Sequence, residues 1–173
     1  TANGALGLEL VGPERLRELE PHAAGVKAVW SPNTGIIDFK QVSQAYSTEM
    51  RERGGDLMSN AQVKGMARSN DGIHIETSSG DVTAKHIINC AGLHADKVAS
   101  MMGVDIGVRI IPFRGEYYSL KKEKESLVNG LIYPVPDPSL PFLGVHFTKR
   151  VTGSVEAGPN AVLSMQREGY SKT

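Results

Sequence analysis

Cysteine is almost absent from this sequence, with Cys90 the single example among 173 residues. One cysteine excludes an internal disulfide and cannot form a thiolate metal cage, which fits a reducing compartment. Because Cys90 ends an apolar stretch that begins at Ile87, we expect its thiol to be a small buried hydrophobic group rather than a reactive one.

The sequence also lacks an excess of charge and a long apolar run. Nineteen basic and nineteen acidic residues cancel, so no global field attracts nucleic acid or an anionic membrane. No apolar run approaches the roughly 20 residues of a membrane span, and the segment opening at Thr1 has no signal-peptide pattern. We therefore expect no nucleic-acid partner and no transmembrane segment, and the missing initiator methionine suggests an internal piece of a longer protein.

Common catalytic and metal-binding motifs are missing as well. The sequence contains neither a Gly-x-Ser-x-Gly elbow nor a Walker-type glycine loop. The histidines are scattered without i, i+4 pairing or a cysteine partner, so no metal site is predicted. They are His22, His74, His86, His94 and His146.

Two helices are indicated in the first third of the chain. The stronger one begins after Asp38, a good N-cap, and ends at Gly54-Gly55. Its apolar residues fall on one face: Phe39, Val42, Tyr46 and Met50. A shorter helix is expected from Pro13, which suits a first helical position, to Pro21.

Between Leu57 and Ile88 the apolar period changes from helical to alternating. Ile73, Ile75 and Thr77 share one face of a strand, and turns are indicated at 70–72 and 79–81. This pattern predicts a three-stranded antiparallel meander.

The central stretch, 86–103, reads as a short buried strand, an Ala91-Gly92 turn and an amphipathic helix that ends at Gly103. A strand that turns directly into a helix presents bare backbone N–H groups, which suit a phosphate or a dinucleotide. Plain packing of the strand and the helix is the alternative, and a lone Ala-Gly turn does not exclude it.

The last third is rich in strand patterns. Strands are predicted at 108–112, 115–120, 131–135, 143–148 and 154–157. The prolines at 134, 136, 138 and 141 forbid continuous pairing in a central strand. This region should therefore be a sheet edge or a loop that frames a cavity.

Three residues in this last third could carry chemistry. Arg114 could clamp a carboxylate with its fork of donors, or form a salt bridge to Glu116. The side chain of His146 should face away from its apolar neighbours, where it could accept the hydroxyl proton of an alcohol or serve as a hydrogen-bonded structural histidine. Tyr133 could hydrogen-bond a substrate carboxylate or simply pack.

Taken together, six motifs resemble the L-2-hydroxyglutarate oxidases and dehydrogenases, a family within the FAD-dependent D-amino-acid oxidase (glycine oxidase-like) superfamily. The resemblance covers essentially the whole chain. The motifs lie at 35–39, 89–92, 112–117, 132–138, 142–146 and 158–162.

The resemblance implies a mixed α+β and α/β fold in two interleaved parts. One is part of an FAD-binding Rossmann-like domain without its first βαβ unit, and the other is a β-rich antiparallel substrate domain. Segments 1–35 and 107–173 would belong to the substrate domain, and 36–106 to the FAD domain. The family's amino-terminal Gly-x-Gly-x-x-Gly unit and carboxy-terminal glycine-rich segment have no counterpart here, so the resemblance implies a fragment with incomplete FAD binding.

The resemblance also assigns the site residues. It implies that Val63 lies at the adenine end of FAD, Ala91 and Gly92 at its phosphates, and Arg114 with Gly115 towards the flavin ring. Tyr133 and His146 would line the substrate side. With Arg114, these two residues form the expected catalytic set.

The reaction implied by the resemblance is oxidation of L-2-hydroxyglutarate, or a similar 2-hydroxy dicarboxylate, by hydride transfer to FAD. Oxygen or a quinone would accept the electrons, the latter with peripheral association at the inner membrane. Location would be cytoplasmic, or mitochondrial in a eukaryote. Two other functions stay open: an FAD-dependent oxidase of amino acids, secondary amines or glycerol 3-phosphate, and a non-catalytic β-rich binding module.

Overall fold

The computed structural model describes residues 4–140, 142 and 144–171, and within them the chain forms three α-helices and eight β-strands. In chain order these are β1 (Glu9–Val11), α1 (Pro13–Leu19), β2 (Ala28–Trp30), α2 (Phe39–Glu52), β3 (Val63–Ser69), β4 (Gly72–Thr77), β5 (Val82–Ala84), α3 (Ala95–Met101), β6 (Phe113–Ser119), β7 (His146–Lys149) and β8 (Val155–Leu163). Short 3₁₀ turns lie at Gly92–His94 and Lys122–Leu127. The predicted mixture of helices and antiparallel sheets is confirmed.

The chain divides into two compact units. The first comprises the described residues up to Gln44 together with Gly115–Val162. The second comprises Ala45–Arg114 and the described residues from Leu163 onward. Each unit is therefore built from two separate segments of the chain, while the predicted domain assignments of 1–35, 36–106 and 107–173 stay a prediction.

The first unit contains two sheets. Strands β1 and β2 pair antiparallel, with Leu10 opposite Val29, and the second sheet has the order β6-β8-β7. Val155, in the central strand β8, is fully buried, and Val11 and Val128 are nearly so. These three valines are the buried apolar side chains of this unit within the described residues.

Helix α1 forms as the sequence predicts, with Gly12 at the N-cap and Pro13 at the first helical position. Its carboxyl end is tied to a distant segment through Glu20. The Glu20 carboxylate accepts hydrogen bonds from the backbone N–H of Asn129 at 2.9 Å and of Gly130 at 2.6 Å. These bonds fix the chain that leads towards the predicted Tyr133 site.

Several predicted strands of the last third differ in extent. Strand β8 continues to Leu163, well beyond 157. The segment 131–135 forms one bridge only, between Ile132 and Phe147, because Pro134 has no N–H to donate. The strand expected at 143–148 begins at His146, and Leu143 and Pro141 lie outside the described residues.

The strand predicted at 108–112 does not form. The N–H of Ile110 donates to the carboxylate of Asp96 at 3.1 Å instead of to a neighbouring strand. Ile111 is 67% exposed. This segment has the apolar residues that are typical of a strand, but the N–H of Ile110 donates to the Asp96 side chain and is not available to a neighbouring strand.

The second unit is built on the predicted meander. Strands β3, β4 and β5 pair antiparallel in that order, and Ile75 lies opposite Met66 on one side and Val82 on the other. Ile73 is buried, whereas the next residue along β4, His74, is exposed. The alternation read from the sequence is confirmed.

Helix α2 also forms where expected. The Asp38 carboxylate accepts hydrogen bonds from the backbone N–H of Lys40 at 2.9 Å and of Gln41 at 3.4 Å, which is the capping predicted from the sequence. Phe39 is 75% exposed and Tyr46 is 70% exposed. The apolar face of α2 is thus left largely uncovered by the described residues.

Two expectations for the stretch 86–103 were wrong. No strand forms at 86–90 among the described residues, and Cys90 is exposed rather than buried. A strand needs a neighbour for its N–H and C=O groups, and no described strand pairs here, so Ile88 is left 87% exposed. The helix does form as α3 and ends before Gly103, whose φ of +70° suits a helix terminus.

Candidate functional site

Tyr133 and His146 lie together in the first unit. Their rings are stacked, with centroids 4.3 Å apart and planes inclined by 23°. His146 is half-buried, while Val145 and Phe147 on either side are exposed. The structure therefore confirms that the histidine faces away from its apolar neighbours, and it adds the tyrosine contact.

The backbone fixes the protonation pattern of the His146 ring. Nδ1 lies 3.1 Å from the carbonyl oxygen of Gly144. A carbonyl oxygen only accepts, so Nδ1 must carry the hydrogen and donate it. In the neutral imidazole the lone pair is then on Nε2, the atom that can accept a proton.

Arg114 has backbone partners in the second unit. Its Nη1 donates to the carbonyl oxygen of Gly169 at 3.2 Å and to that of Ser171 at 2.5 Å. This guanidinium therefore holds the segment that follows β8. The predicted contact of Arg114 with a substrate or a flavin stays a prediction.

Gly115 follows Arg114 but belongs to the first unit. A Cβ at this position would lie 3.0 Å from Cβ of Pro159 and 3.1 Å from Cε2 of Tyr117. The absent side chain thus allows β6 to approach β8 closely. The predicted contact of Gly115 with the flavin ring stays a prediction.

The predicted cofactor residues Val63, Ala91 and Gly92 all lie in the second unit. Helix α3, which follows Gly92, contacts strand β3, which begins at Val63. The Ala91 N–H donates to the Asn89 carboxamide oxygen at 3.1 Å. The structure thus brings the two elements that carry these residues together, and their cofactor contacts stay predictions.

The Ala91-Gly92 turn is open on the side of Gly92 that a side chain would occupy. Gly92 has φ of +51°, and a Cβ placed on it would meet no atom within 4 Å. Among the described residues, the backbone N–H groups of Gly92 and Leu93 have no hydrogen-bond partner. Open space beside free N–H donors fits an anionic group such as the diphosphate of a dinucleotide.

A pair that the sequence did not reveal lies beside this turn. The guanidinium of Arg167 binds the Asp96 carboxylate through two contacts, Nη1 to Oδ1 at 2.5 Å and Nη2 to Oδ2 at 2.6 Å. These hydrogen bonds from Arg167, aided by the backbone N–H groups of Ile110 and Lys97, hold the pKa of Asp96 well below its usual range. The two residues are 71 positions apart, and nothing in the sequence pattern joins them.

Two other properties bear on possible ligands. Among the helices of the described chain, none has both the length and the apolar character needed to cross a membrane. Over the same residues, no group of three or more His, Cys, Asp or Glu side chains is arranged to hold a metal ion.

Comparison with known families follows from these features. The family described as FAD dependent oxidoreductase (DAO) matches residues 1–171. The chain therefore belongs to this family of FAD-dependent oxidoreductases, and the resemblance inferred from the six motifs is confirmed. FAD is the cofactor of the family, as predicted.

Individual relatives are more specific. The chain is 49% identical over 172 residues to the L-2-hydroxyglutarate dehydrogenase of Indibacter alkaliphilus, which covers 99% of this chain and 43% of the relative. It is 42% identical over 180 residues to the mitochondrial L-2-hydroxyglutarate dehydrogenase of Homo sapiens, covering 97% of this chain and 39% of the relative. The chain thus spans about two fifths of the length of these relatives.

Solved structures share the fold at lower identity. The L-proline dehydrogenase of P. horikoshii matches with a TM-score of 0.68 and 18% identity, over 94% of this chain and 44% of that one. The glycine oxidase of Geobacillus kaustophilus matches with a TM-score of 0.64 and 15% identity, over 95% of this chain and 42% of that one. These matches support part of an FAD-dependent oxidoreductase fold, as predicted.

Proposed function

We propose that this chain is part of a flavoenzyme that oxidises L-2-hydroxyglutarate, or a similar L-2-hydroxy acid, to the 2-oxo acid. The relatives named L-2-hydroxyglutarate dehydrogenase support the substrate, since they match at 42–49% identity along nearly the whole chain. The observation that supports the chemistry is the hydrogen bond from Nδ1 of His146 to the carbonyl oxygen of Gly144.

His146 is the base in this proposal. Oxidation of an alcohol removes a hydride from carbon and a proton from oxygen. With its Nδ1 hydrogen directed at a carbonyl, the neutral imidazole accepts that hydroxyl proton at Nε2 and becomes imidazolium. The Tyr133 ring packs against the imidazole and restricts its rotation. When bound, FAD would supply the acceptor for the hydride.

The remaining assignments concern binding. Tyr133 hydrogen-bonds a substrate carboxylate through its hydroxyl, and Arg114 contacts a carboxylate or lies towards the flavin. Gly115 lies at the ring as well. On the cofactor, Ala91 and Gly92 approach the diphosphate, supported by the free N–H of Gly92, and Val63 lies at the adenine end.

The partners and location follow from the same proposal. The substrate is a small 2-hydroxy dicarboxylate, and the electrons pass to oxygen or to a quinone. A quinone acceptor requires the enzyme to associate peripherally with the inner membrane, from the cytoplasm or inside mitochondria. Relatives from Caenorhabditis elegans and Homo sapiens are named mitochondrial.

Anaerobic reduction of the purified full-length flavoprotein tests the substrate. We expect L-2-hydroxyglutarate to bleach the visible flavin absorbance, and the D enantiomer, glycine, L-proline and glycerol 3-phosphate to leave it unchanged. Bleaching by an amino acid or by glycerol 3-phosphate, with none by L-2-hydroxyglutarate, would replace this proposal with one of the alternative oxidase functions.

A further inference from the structure

We propose that Arg167 and Asp96 are positioning residues that hold the Ala91-Gly92 turn in the conformation that receives FAD. This inference rests on the proposed function, in which that turn contacts the cofactor diphosphate. Neither residue touches the ligand in this account. They act through the backbone of the turn.

The first support is the way in which Arg167 bridges the turn. Its Nη1 donates to the carbonyl oxygen of Leu93 at 2.7 Å and to Oδ1 of Asp96. Leu93 lies in the 3₁₀ turn, and Asp96 lies in the first turn of α3. One guanidinium therefore fixes both sides of the junction that follows Gly92.

The second support is the burial and saturation of the Asp96 carboxylate. Asp96 is 8% exposed and is the buried charged residue of the described chain. Besides Arg167, it accepts the N–H of Lys97 at 2.8 Å and of Ile110 at 3.1 Å. Removing Arg167 would leave the buried Asp96 carboxylate without its charged partner, so we expect the junction to be held less firmly.

The third support is a second link between the same two segments. Glu168, next to Arg167, contacts Nε2 of His94 at 2.7 Å. His94 is the last residue of the 3₁₀ turn. Because the free N–H donors belong to Gly92 and Leu93, adjacent to these contacts, their direction depends on how the turn is held.

The test is FAD affinity of the full-length apoenzyme, measured by quenching of flavin fluorescence. The variants are R167K, which keeps the charge but loses the planar fork, and D96N. The control is E49Q, which breaks an exposed pair between Arg53 and Glu49 in the same unit. We expect the dissociation constant for FAD to rise about tenfold in R167K and in D96N, and to stay unchanged in E49Q.

If Arg167 and Asp96 had a purely structural role, a variant that folds would bind FAD with wild-type affinity. Far-ultraviolet circular dichroism establishes that each apoenzyme is folded at the titration temperature, and R167K decides the matter where D96N does not fold. We also expect faster amide hydrogen exchange in apo R167K at His94 and Ala95, whose N–H groups donate to the carbonyl oxygens of Ala91 and Gly92, with the rest of the protein unchanged. Folded R167K with wild-type FAD affinity would overturn this inference alone. A wild-type apoenzyme that binds no FAD would overturn the proposed function together with it.

Discussion

The imidazole of His146 is held at two points, the carbonyl of Gly144 and the ring of Tyr133. The carbonyl determines which nitrogen carries the hydrogen, and the aromatic ring restricts the plane of the imidazole. A base that works on an alcohol needs both, because its lone pair must point at the hydroxyl before the proton moves. The proposed function thus gives Tyr133 two separate roles: its ring orients His146, and its hydroxyl binds a substrate carboxylate.

Those roles can be separated with two variants of the full-length enzyme. Y133F keeps the stacked ring and loses the hydroxyl, so we expect KM for L-2-hydroxyglutarate to rise about tenfold with little change in kcat. Y133A also loses the ring that holds His146, so kcat should fall as well. Steady-state kinetics measure both values, and identical parameters for Y133F and wild type would remove the hydroxyl from the substrate contact.

Asp96 makes stability depend on pH. Its pKa is lowered in the folded protein, mainly by hydrogen bonds from Arg167, while the unfolded chain has a pKa of about 3.9. Its contribution is therefore fully present above the unfolded pKa and is lost as the pH falls through the folded pKa.

Urea unfolding of full-length wild type and D96N at several pH values tests this dependence. We expect D96N to be less stable at pH 7, and the difference in free energy of unfolding to shrink as the pH is lowered from about 5 to 3. E49Q should track wild type throughout. A difference that stays constant over this range would show that the Asp96 charge contributes no pH-dependent stability.

Local sequence patterns predict some of the side-chain directions and contacts in the candidate site and not others. The direction of the His146 side chain, opposite to Val145 and Phe147, follows from strand alternation, which needs only the nearest neighbours in sequence. The Asp96 to Arg167 pair could not be predicted, because it depends on the path of the backbone between α3 and the segment after β8. The donors of Arg114 predict a carboxylate contact, whereas its backbone partners at Gly169 and Ser171 depend on the fold and could not be predicted.

At the scale of elements, the sheet β6-β8-β7 depends on two close approaches. A Cβ at Gly158 would lie 2.6 Å from Cδ1 of Tyr117 and 2.8 Å from the carbonyl oxygen of Glu116. Real Cβ atoms do not come so near, so any side chain here forces β6 and β8 apart. A Cβ at Gly115 on the other strand would be less crowded, at 3.0 Å from Cβ of Pro159.

The substitution G158A should therefore destabilise the full-length protein by about 1–3 kcal/mol. G35A is the matched control in the same unit, since a Cβ there would meet no atom within 4 Å, and it should change stability by less than about 0.5 kcal/mol. Chemical denaturation gives both values. Equal stabilities for the two variants would contradict the close approach at Gly158.

The elements that the sequence predicted well carry their own local signals. Helix α2 has a cap at Asp38, and the meander has turns between alternating runs. The strands expected at 86–90 and 108–112 have the right apolar residues but no partner among the described residues, and the Ile110 N–H binds Asp96 instead. A strand forms only where a neighbouring strand pairs with its N–H and C=O groups. The residue types at 86–90 and 108–112 therefore could not show whether these segments form strands.

At the scale of the whole molecule, the chain accounts for 39–43% of the length of its L-2-hydroxyglutarate dehydrogenase relatives. Large apolar side chains are left uncovered within the described residues, among them Ile88 at 87% and Phe39 at 75% exposure. Exposed apolar surface on this scale marks an interaction site or a covered face in a larger protein. The family and fold were predictable because the motifs persist in this part of the chain.

Cofactor retention should differ between the chain and the full-length protein. The Ala91-Gly92 turn supplies few donors, and a dinucleotide normally also needs a Gly-x-Gly-x-x-Gly strand and helix. We expect the purified 173-residue chain to show no stoichiometric flavin absorbance, and the full-length protein to be yellow. A yellow 173-residue chain with one FAD per molecule would contradict this expectation.

The central claim is that His146 accepts the hydroxyl proton while the substrate is oxidised. Stopped-flow measurement of flavin reduction by L-2-hydroxyglutarate tests this claim most directly. The proteins compared are the full-length wild type, H146N and H22A, an exposed control from the same unit. We expect H146N to reduce its flavin about 10²–10⁴-fold more slowly, with H22A unchanged. Reduction of the H146N flavin at the wild-type rate would contradict the assignment of His146 as the base.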